Sequence, residues 1–404
     1  MHKLLFVPQI ERNSKLLLSY AEGLGNSVQI FLLRNNLFGS NSDIKSNWSS
    51  SKISSQFLEP DFLLLSEPNI SEHNRLFVLR KLHNRFKDFL RKKDFDLIIL
   101  GADSVGMGHW TAIVAKELGI KTIVLQEGCR YIFKMHTPLI SRIKRLTYKC
   151  AAFLIYKPAM YRLWTHEYQT ADYAFVWGQY EKDCAIKKGK NKKDVFVIGD
   201  PRIKERPIVK TINNKLKILF LDISVSTLLK GTVDENAFLS FNKSLVEQAS
   251  VMDCSFYYKP HPFVKQYELD YLTAILKNKD NIQLITNKTS EECFDQFDAC
   301  ITYPSTAMYG ILAAGVPLIL ITFKARGFSS LLWDPIKLYR AGLYINNAQE
   351  LKKIIETISQ DVWYNKYRYL SKLAAEQLVG PLDGKAPERF VAKAGSILKE
   401  TTTT

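Results

Sequence analysis

The segment GDPRIKERPIVKTINNKLKILFLD, residues 199–222, changes character partway along. Its first part, residues 199–215, mixes prolines, lysines and asparagines without apolar periodicity, as an interdomain linker does. Its second part, LKILFLD (216–222), is a near-continuous apolar run, and a run of that length fits a strand covered on both faces. A second series of strands starts here, after an earlier one has ended.

The earlier series is KLLFVP (3–8), SVQIFLL (27–33), DLIIL (96–100), KTIVLQ (121–126), YAFVW (173–177) and VFVIG (195–199). SEHNRLFVLRKLHNRFKDFLRKK (71–93) spaces Leu76, Leu79, Leu82, Phe86 and Phe89 along one helical face. Beyond the linker the alternation resumes with SFYYK (255–259), IQLI (282–285), ACITY (299–303) and PLILIT (317–322). APERFVAKAGSILKE (386–400) reads as a last helix, and Thr401–Thr404 as its frayed end. Strands alternating with helices imply the α/β class: two Rossmann-like domains, 1–205 and 206–404, facing a cleft, with the C-terminal helix packing back on the first.

Composition narrows the function classes. Apolar residues at 46% and charged residues at 24% exclude a disordered or collagen-like chain. Cys129, Cys150, Cys184, Cys254, Cys293 and Cys300 show no CxxC spacing and read as packing thiols of a reducing compartment. The opening MHKLLFVPQIERN is broken by Pro8 and charge and lacks the features of a signal peptide, so cytoplasmic residence is the expectation. A net charge of +16 points to an anionic partner. SRIKRLTYKCAAFLIYKPAMYRLW (141–164) interleaves bases with aromatics but is too charged to span a bilayer. It either lies on an anionic inner membrane surface as a peripheral contact or forms an ordinary basic helix pair. No nucleic-acid motif is present, and no nucleic acid is expected as a partner.

In open α/β sheets, ligands bind beyond the carboxyl ends of the strands, so the residues there carry the candidates. QEGCR (126–130) supplies Glu127, either a general base or a solvated loop carboxylate, followed by Gly128 and Arg130. GADSVGMGHW (101–110) offers Asp103 and Ser104, to bind sugar hydroxyls or to cap the next helix, and a GxG too short for a dinucleotide fingerprint. FLDISVST (220–227) places Asp222 and Ser224 after a strand. YYKPHPF (257–263) stops a strand at Pro260 and restricts His261 through Pro262, so that one imidazole is held beside Lys259 at a strand terminus. ACITYPSTAMYGILAAGVPLI (299–319) brings Ser305 and Thr306 to the start of a small-residue helix, as phosphate ligands or as a plain N-cap. Arg202, Lys324 and Arg326 are further candidates for anionic groups. DFD (94–96) has a DxD spacing but opens a strand at the far end, so no metal site is expected.

Together, Glu127-Gly128, His261-Pro262 and Ser305-Thr306 resemble the motifs of inverting GT-B glycosyltransferases, within them the bacterial sialyltransferase-like and capsule-assembly group. The resemblance implies Glu127 as base on the acceptor hydroxyl, with Gly128, Asp103 and Arg130 around the acceptor. It implies His261 neutralising the departing phosphate, with Pro262, Ser305, Thr306, Lys259 and Ser224 around the nucleotide. It also implies no cofactor and no metal. The donor would be a nucleotide sugar, a CMP-sugar of the sialic acid or Kdo type, and the acceptor a glycan or lipid-linked glycan of capsule or lipopolysaccharide assembly. The family often has two acids before the glycine, where this chain has Gln126. VIGDPR (197–202) is in turn similar to a segment of the teichoic-acid glycerophosphotransferases, which use a CDP-polyol donor. A UDP-sugar enzyme or epimerase of the same fold would also accommodate these motifs, as would a scaffold protein that keeps the fold without the chemistry.

Overall fold

The computed structural model describes residues 1–8, 11–25, 28–33, 55–60, 72–104, 106–128, 146–147, 150, 154–155, 168–203, 215–223, 235–261, 264–286, 294–322 and 333–402. The chain forms two compact units. Met1–Glu127, Thr137–Arg202 and Val379–Thr404 make the first, and Gly128–His136 with Ile203–Leu378 make the second. The chain passes from the first unit to the second at Arg202–Ile203, and the closing segment Val379–Thr404 belongs to the first unit.

The first unit runs β1 (His2–Val7), α1 (Glu11–Leu24), β2 (Val28–Leu33), β3 (Ser55–Leu58), α2 (Glu72–Lys93), β4 (Leu97–Leu100), α3 (Gly106–Leu118), β5 (Lys121–Leu125), β6 (Tyr173–Val176), α4 (Gln179–Lys187) and β7 (Val195–Val197). Its sheet has the order β3-β2-β1-β4-β5-β6-β7, with every neighbouring pair parallel. The LIIL of β4 is buried throughout, which is why this strand reads as a solid apolar run with no alternation. Leu79, Leu82, Phe86 and Leu90 form the buried stripe of α2, and the Phe86 ring meets Trp110 of α3 at 4.6 Å. At the amino edge Asp96 accepts a hydrogen bond from the Lys3 amide at 2.7 Å and faces His2 Nδ1 at 3.4 Å, so the DFD carboxylate ties β4 to β1.

The second unit runs β8 (Lys217–Leu221), α5 (Glu235–Ser250), β9 (Ser255–Lys259), α6 (Gln266–Leu276), β10 (Ile282–Leu284), β11 (Ala299–Thr302), α7 (Ala307–Ala313), β12 (Leu318–Ile321), α8 (Trp333–Leu338), β13 (Gly342–Ile345), α9 (Glu350–Ile358) and α10 (Asp361–Val379). Its sheet order is β10-β9-β8-β11-β12-β13, again parallel throughout. Ile218, Phe220, Phe256, Tyr258, Ile301 and Tyr303 form one face of the core, against Phe238, Phe241 and Leu245 of α5. The apolar runs in the sequence do not predict β3 and β13. SQFL is half-exposed and opens with two polar residues, and GLYI opens with a glycine, so neither edge strand shows the long apolar run of the interior ones.

The last helix, α11 (Ala386–Thr402), lies on α1: the Phe390 ring is 5.2 Å from Tyr20, and Gly23 leaves space for Val391 and Pro387. Here the expectation of a C-terminal helix packing back on the first domain matches the structure. The return is fastened where the Asp200 amide donates to the Val379 carbonyl at 3.1 Å. Gly380 is required beside it, since a Cβ there would lie 2.1 Å from the Trp177 carbonyl and its φ is +78°.

Candidate active site

In each sheet the strand order reverses once, at β1/β4 in the first and at β8/β11 in the second, and the crevice beyond such a reversal is where open α/β sheets bind ligands. In the first unit Gly101 follows β4 there, and Gln126-Glu127 follow the neighbouring β5. The Glu127 carboxylate rests on the Gly101 Cα: a Cβ at position 101 would lie 1.7 Å from Oε1. Gln126 is buried, and its Oε1 accepts the Trp177 amide at 2.7 Å, which fastens the end of β5 to the end of β6. The residue that stands in place of a second acid is therefore structural. Half-buried Glu127 is left as the carboxylate of this strand end.

The turn after Gly101 is closely packed. Gly108 admits the Ala102 carbonyl, which a Cβ would approach to 1.9 Å, and His109 Nδ1 bonds the Asp103 carbonyl at 2.7 Å. The Asp103 side chain is fully buried and accepts the amides of Tyr168 (2.7 Å), Thr170 (2.8 Å) and Ala171 (3.0 Å). Burial raises its pKa, opposed by those three N–H groups and by the Lys190 ammonium, which bonds the Ala171 carbonyl. A carboxylate so enclosed holds the 168–171 turn in place. The sequence expectation of an acceptor ligand at Asp103 thus gives way to a structural role, because its acceptor sites face backbone amides.

In the second unit Asp222 follows β8, His261 follows β9 and Ser305-Thr306 follow β11, three strands adjacent in the sheet. The half-exposed His261 starts a turn closed by the Val264 amide on its carbonyl at 3.0 Å, and Glu268 then takes the Lys265 amide at 2.9 Å to begin α6. Lys259 is buried as the last residue of β9, and its carbonyl accepts the Asp222 amide at 3.0 Å. Helix α7 begins after Thr306, whose φ of −62° and ψ of −24° are already helical and whose side chain forms no cap. Among the described residues neither the Ser305 nor the Thr306 hydroxyl forms a hydrogen bond, so the plain N-cap reading finds no bond to support it. Gly310, where a Cβ would lie 2.5 Å from the Phe294 ring, seats α7 closely on its neighbour.

A polar network joins these strand ends. The Tyr258 hydroxyl donates to Asp222 Oδ2, and Asn242 Nδ2 donates to Oδ1 at 3.2 Å and lies 3.3 Å from the Tyr258 hydroxyl. The Tyr303 hydroxyl donates to Asn242 Oδ1 at 2.6 Å, and the Ile223 amide to Asp222 Oδ1 at 2.7 Å. Burial pushes the Asp222 pKa up to about 7, against the hydrogen bonds from Tyr258, Ile223 and Asn242 and with the nearby Glu268. Only Asp222 of this group is visible in the sequence as a strand-end residue. The others are ordinary core positions until the fold brings them together.

Ser224, Pro262, Arg130, Lys324 and Arg326 lie outside the described residues, as do Cys129, Cys293 and most of 141–164. Gly128 is described and half-buried. Arg202 is engaged within its own unit: it grips the buried Asp200 through Nε (2.9 Å) and Nη2 (2.6 Å) and lies 5.0 Å over the Trp177 ring. Among the described residues no group of three or more His, Cys, Asp or Glu could hold a metal, and no helix is long and apolar enough to cross a membrane.

No protein-family model matches the chain, and no curated protein matches its sequence. Solved structures do match over the whole length. A UGT of Medicago truncatula complexed with UDP-glucose aligns with a TM-score of 0.60 at 14% identity, over 99% of this chain and 98% of that one. A putative UDP-N-acetylglucosamine 2-epimerase of Listeria monocytogenes gives 0.59 at 13%, over 99% and 97%. The UDP-GlcNAc 2-epimerase of Methanocaldococcus jannaschii, in complex with UDP-GlcNAc and UDP, gives 0.56 at 14%, over 98% and 99%. The shared fold is GT-B, with its two Rossmann-like domains.

Proposed function

We propose that this chain is a GT-B glycosyltransferase that takes a sugar from a nucleotide donor by inverting displacement. The observation that carries the reading is the Glu127 carboxylate seated on Gly101 beside the sheet reversal of the first unit, where a base for an acceptor hydroxyl belongs. The second unit supplies the complementary groups at its own reversal: the His261 imidazole and the Ser305 and Thr306 hydroxyls, all after adjacent strands. Displacement at an anomeric carbon needs a base for the nucleophile and charge neutralisation for the departing phosphate, and these residues divide that work. Donor phosphate held by imidazole, hydroxyls and backbone N–H needs no metal bridge.

A CMP-sugar donor of the sialic acid or Kdo type fits the paired motifs, and the net charge of +16 suits an acidic glycan or lipid-linked acceptor of surface polysaccharide assembly. A UDP-sugar donor is the second reading, favoured by structural neighbours described with UDP or UDP-sugars. Thermal-shift titration with CMP, CDP, UDP, GDP and ADP in the presence of EDTA separates them, because a ligand of the folded state raises apparent stability. Greatest stabilisation by CMP supports the first reading and by UDP the second. Lack of response to all five contradicts the proposal.

A further inference from the structure

We infer that the Asp222–Tyr258–Asn242–Tyr303 network is the positioning device of the nucleotide site, holding Ile223, His261 and Ser305-Thr306 in register at the ends of β8, β9 and β11; the inference rests on the function proposed above. Each member is placed for this. Asp222 follows β8 and accepts the Ile223 amide, so it fixes the backbone where the chain leaves the strand. Tyr258 precedes Lys259-Pro260-His261 on β9, and Tyr303 precedes Pro304-Ser305-Thr306 after β11. Asn242, fully buried on α5, joins all three by donating to Asp222 and to the Tyr258 hydroxyl and accepting from Tyr303. Thr302 adds a fourth tie, its hydroxyl donating to the Leu221 carbonyl at 3.1 Å. A core needing only volume at these sites would use Phe and Leu, which bring no desolvation cost. A connected polar group costs burial energy and in return fixes geometry.

The hydrogen-bond inventory makes the network complete in one protonation state. With Asp222 ionised, the protons of Tyr258, Asn242, Tyr303 and the Ile223 amide all have acceptors. A proton on Oδ2 needs the Tyr258 oxygen as its acceptor, and the Tyr258 proton must then turn away from Asp222. Among the described residues, the groups that act on Asp222 include Tyr258 from β9, Asn242 from α5, Tyr303 after β11 and the buried Glu268 of α6. The register of these strand ends, and with it nucleotide affinity, therefore responds to pH near neutrality.

The test measures the affinity of CMP and of UDP by calorimetry from pH 5.5 to 8.5 for the full chain and for the Tyr303→Phe and Asp222→Asn variants, with circular dichroism as a check on folding. For whichever nucleotide the unaltered protein binds, the inference expects affinity to rise with pH through about 7, to fall ~10-fold in Tyr303→Phe, and to lose its pH dependence in Asp222→Asn. Variants that fold and bind with the unaltered affinity and pH profile overturn this inference and leave the function standing. Failure of the unaltered protein to bind either nucleotide overturns both.

Discussion

Glu127 Oε1 occupies the place where a side chain at Gly101 would begin, 1.7 Å from the position of its Cβ. The two residues follow adjacent strands and share one volume, so the glycine is part of the carboxylate's site. Gly101→Ala should displace a flexible side-chain end and leave backbone packing in place, so the fold should survive. Turnover should fall by ~10²-fold, as for loss of a general base, with nucleotide-induced stabilisation unchanged. Steady-state rates beside thermal shift check the pair of outcomes.

Gly380→Ala should act in the opposite way. Its added methyl meets the Trp177 carbonyl at 2.1 Å with φ at +78°, so backbone must move, and the loss should be ~1–3 kcal/mol or more. Gly395→Ala on α11, with nothing within 4 Å, should stabilise by ~0.5–1 kcal/mol. Urea denaturation of the two variants gives the comparison.

Asp103→Ala should leave the amides of Tyr168, Thr170 and Ala171 without their acceptor and remove the leading anionic neighbour of Lys190. Roughly 1–3 kcal/mol is expected for each buried group left unpaired, though the turn will relax in part. Nucleotide affinity should stay unchanged, which a role at the donor would not permit. Chemical denaturation and a nucleotide titration on the same sample test this.

Asp222 makes stability depend on pH with a definite sign. Its folded pKa, pushed up to about 7, lies above the unfolded carboxylate value, so the folded state binds the extra proton. The associated stability is fully present below the unfolded pKa and is lost as pH rises through about 7. Thermal unfolding from pH 4 to 8 should show a decline across that window that is absent in Asp222→Asn.

What the sequence reveals follows distance along the chain. Interior strands such as LIIL and LILI are buried on both faces and announce themselves as apolar runs, while the edge strands SQFL and GLYI carry little signal. Strand-end residues Glu127, His261 and Ser305 are legible because a fold with parallel sheets makes every carboxyl end a candidate. The partners of Asp103, at Tyr168, Thr170 and Ala171, and those of Asp222, at Asn242, Tyr258 and Tyr303, are far apart in the chain. No local pattern relates them, and so one carboxylate reads as a ligand and the other network goes unseen. The return at Val379–Gly380 is hidden for the same reason: its need for glycine is set by Trp177.

The central claim is the division of work, with Glu127 for the acceptor and His261 for the donor phosphate. Calorimetric titration of Glu127→Gln and His261→Ala with the nucleotide that best stabilises the unaltered protein tests it most directly. The account expects Glu127→Gln to bind as the unaltered protein does while its turnover falls ~10²-fold or more, and His261→Ala to lose affinity and turnover together. Equal loss of nucleotide affinity in both variants would contradict it.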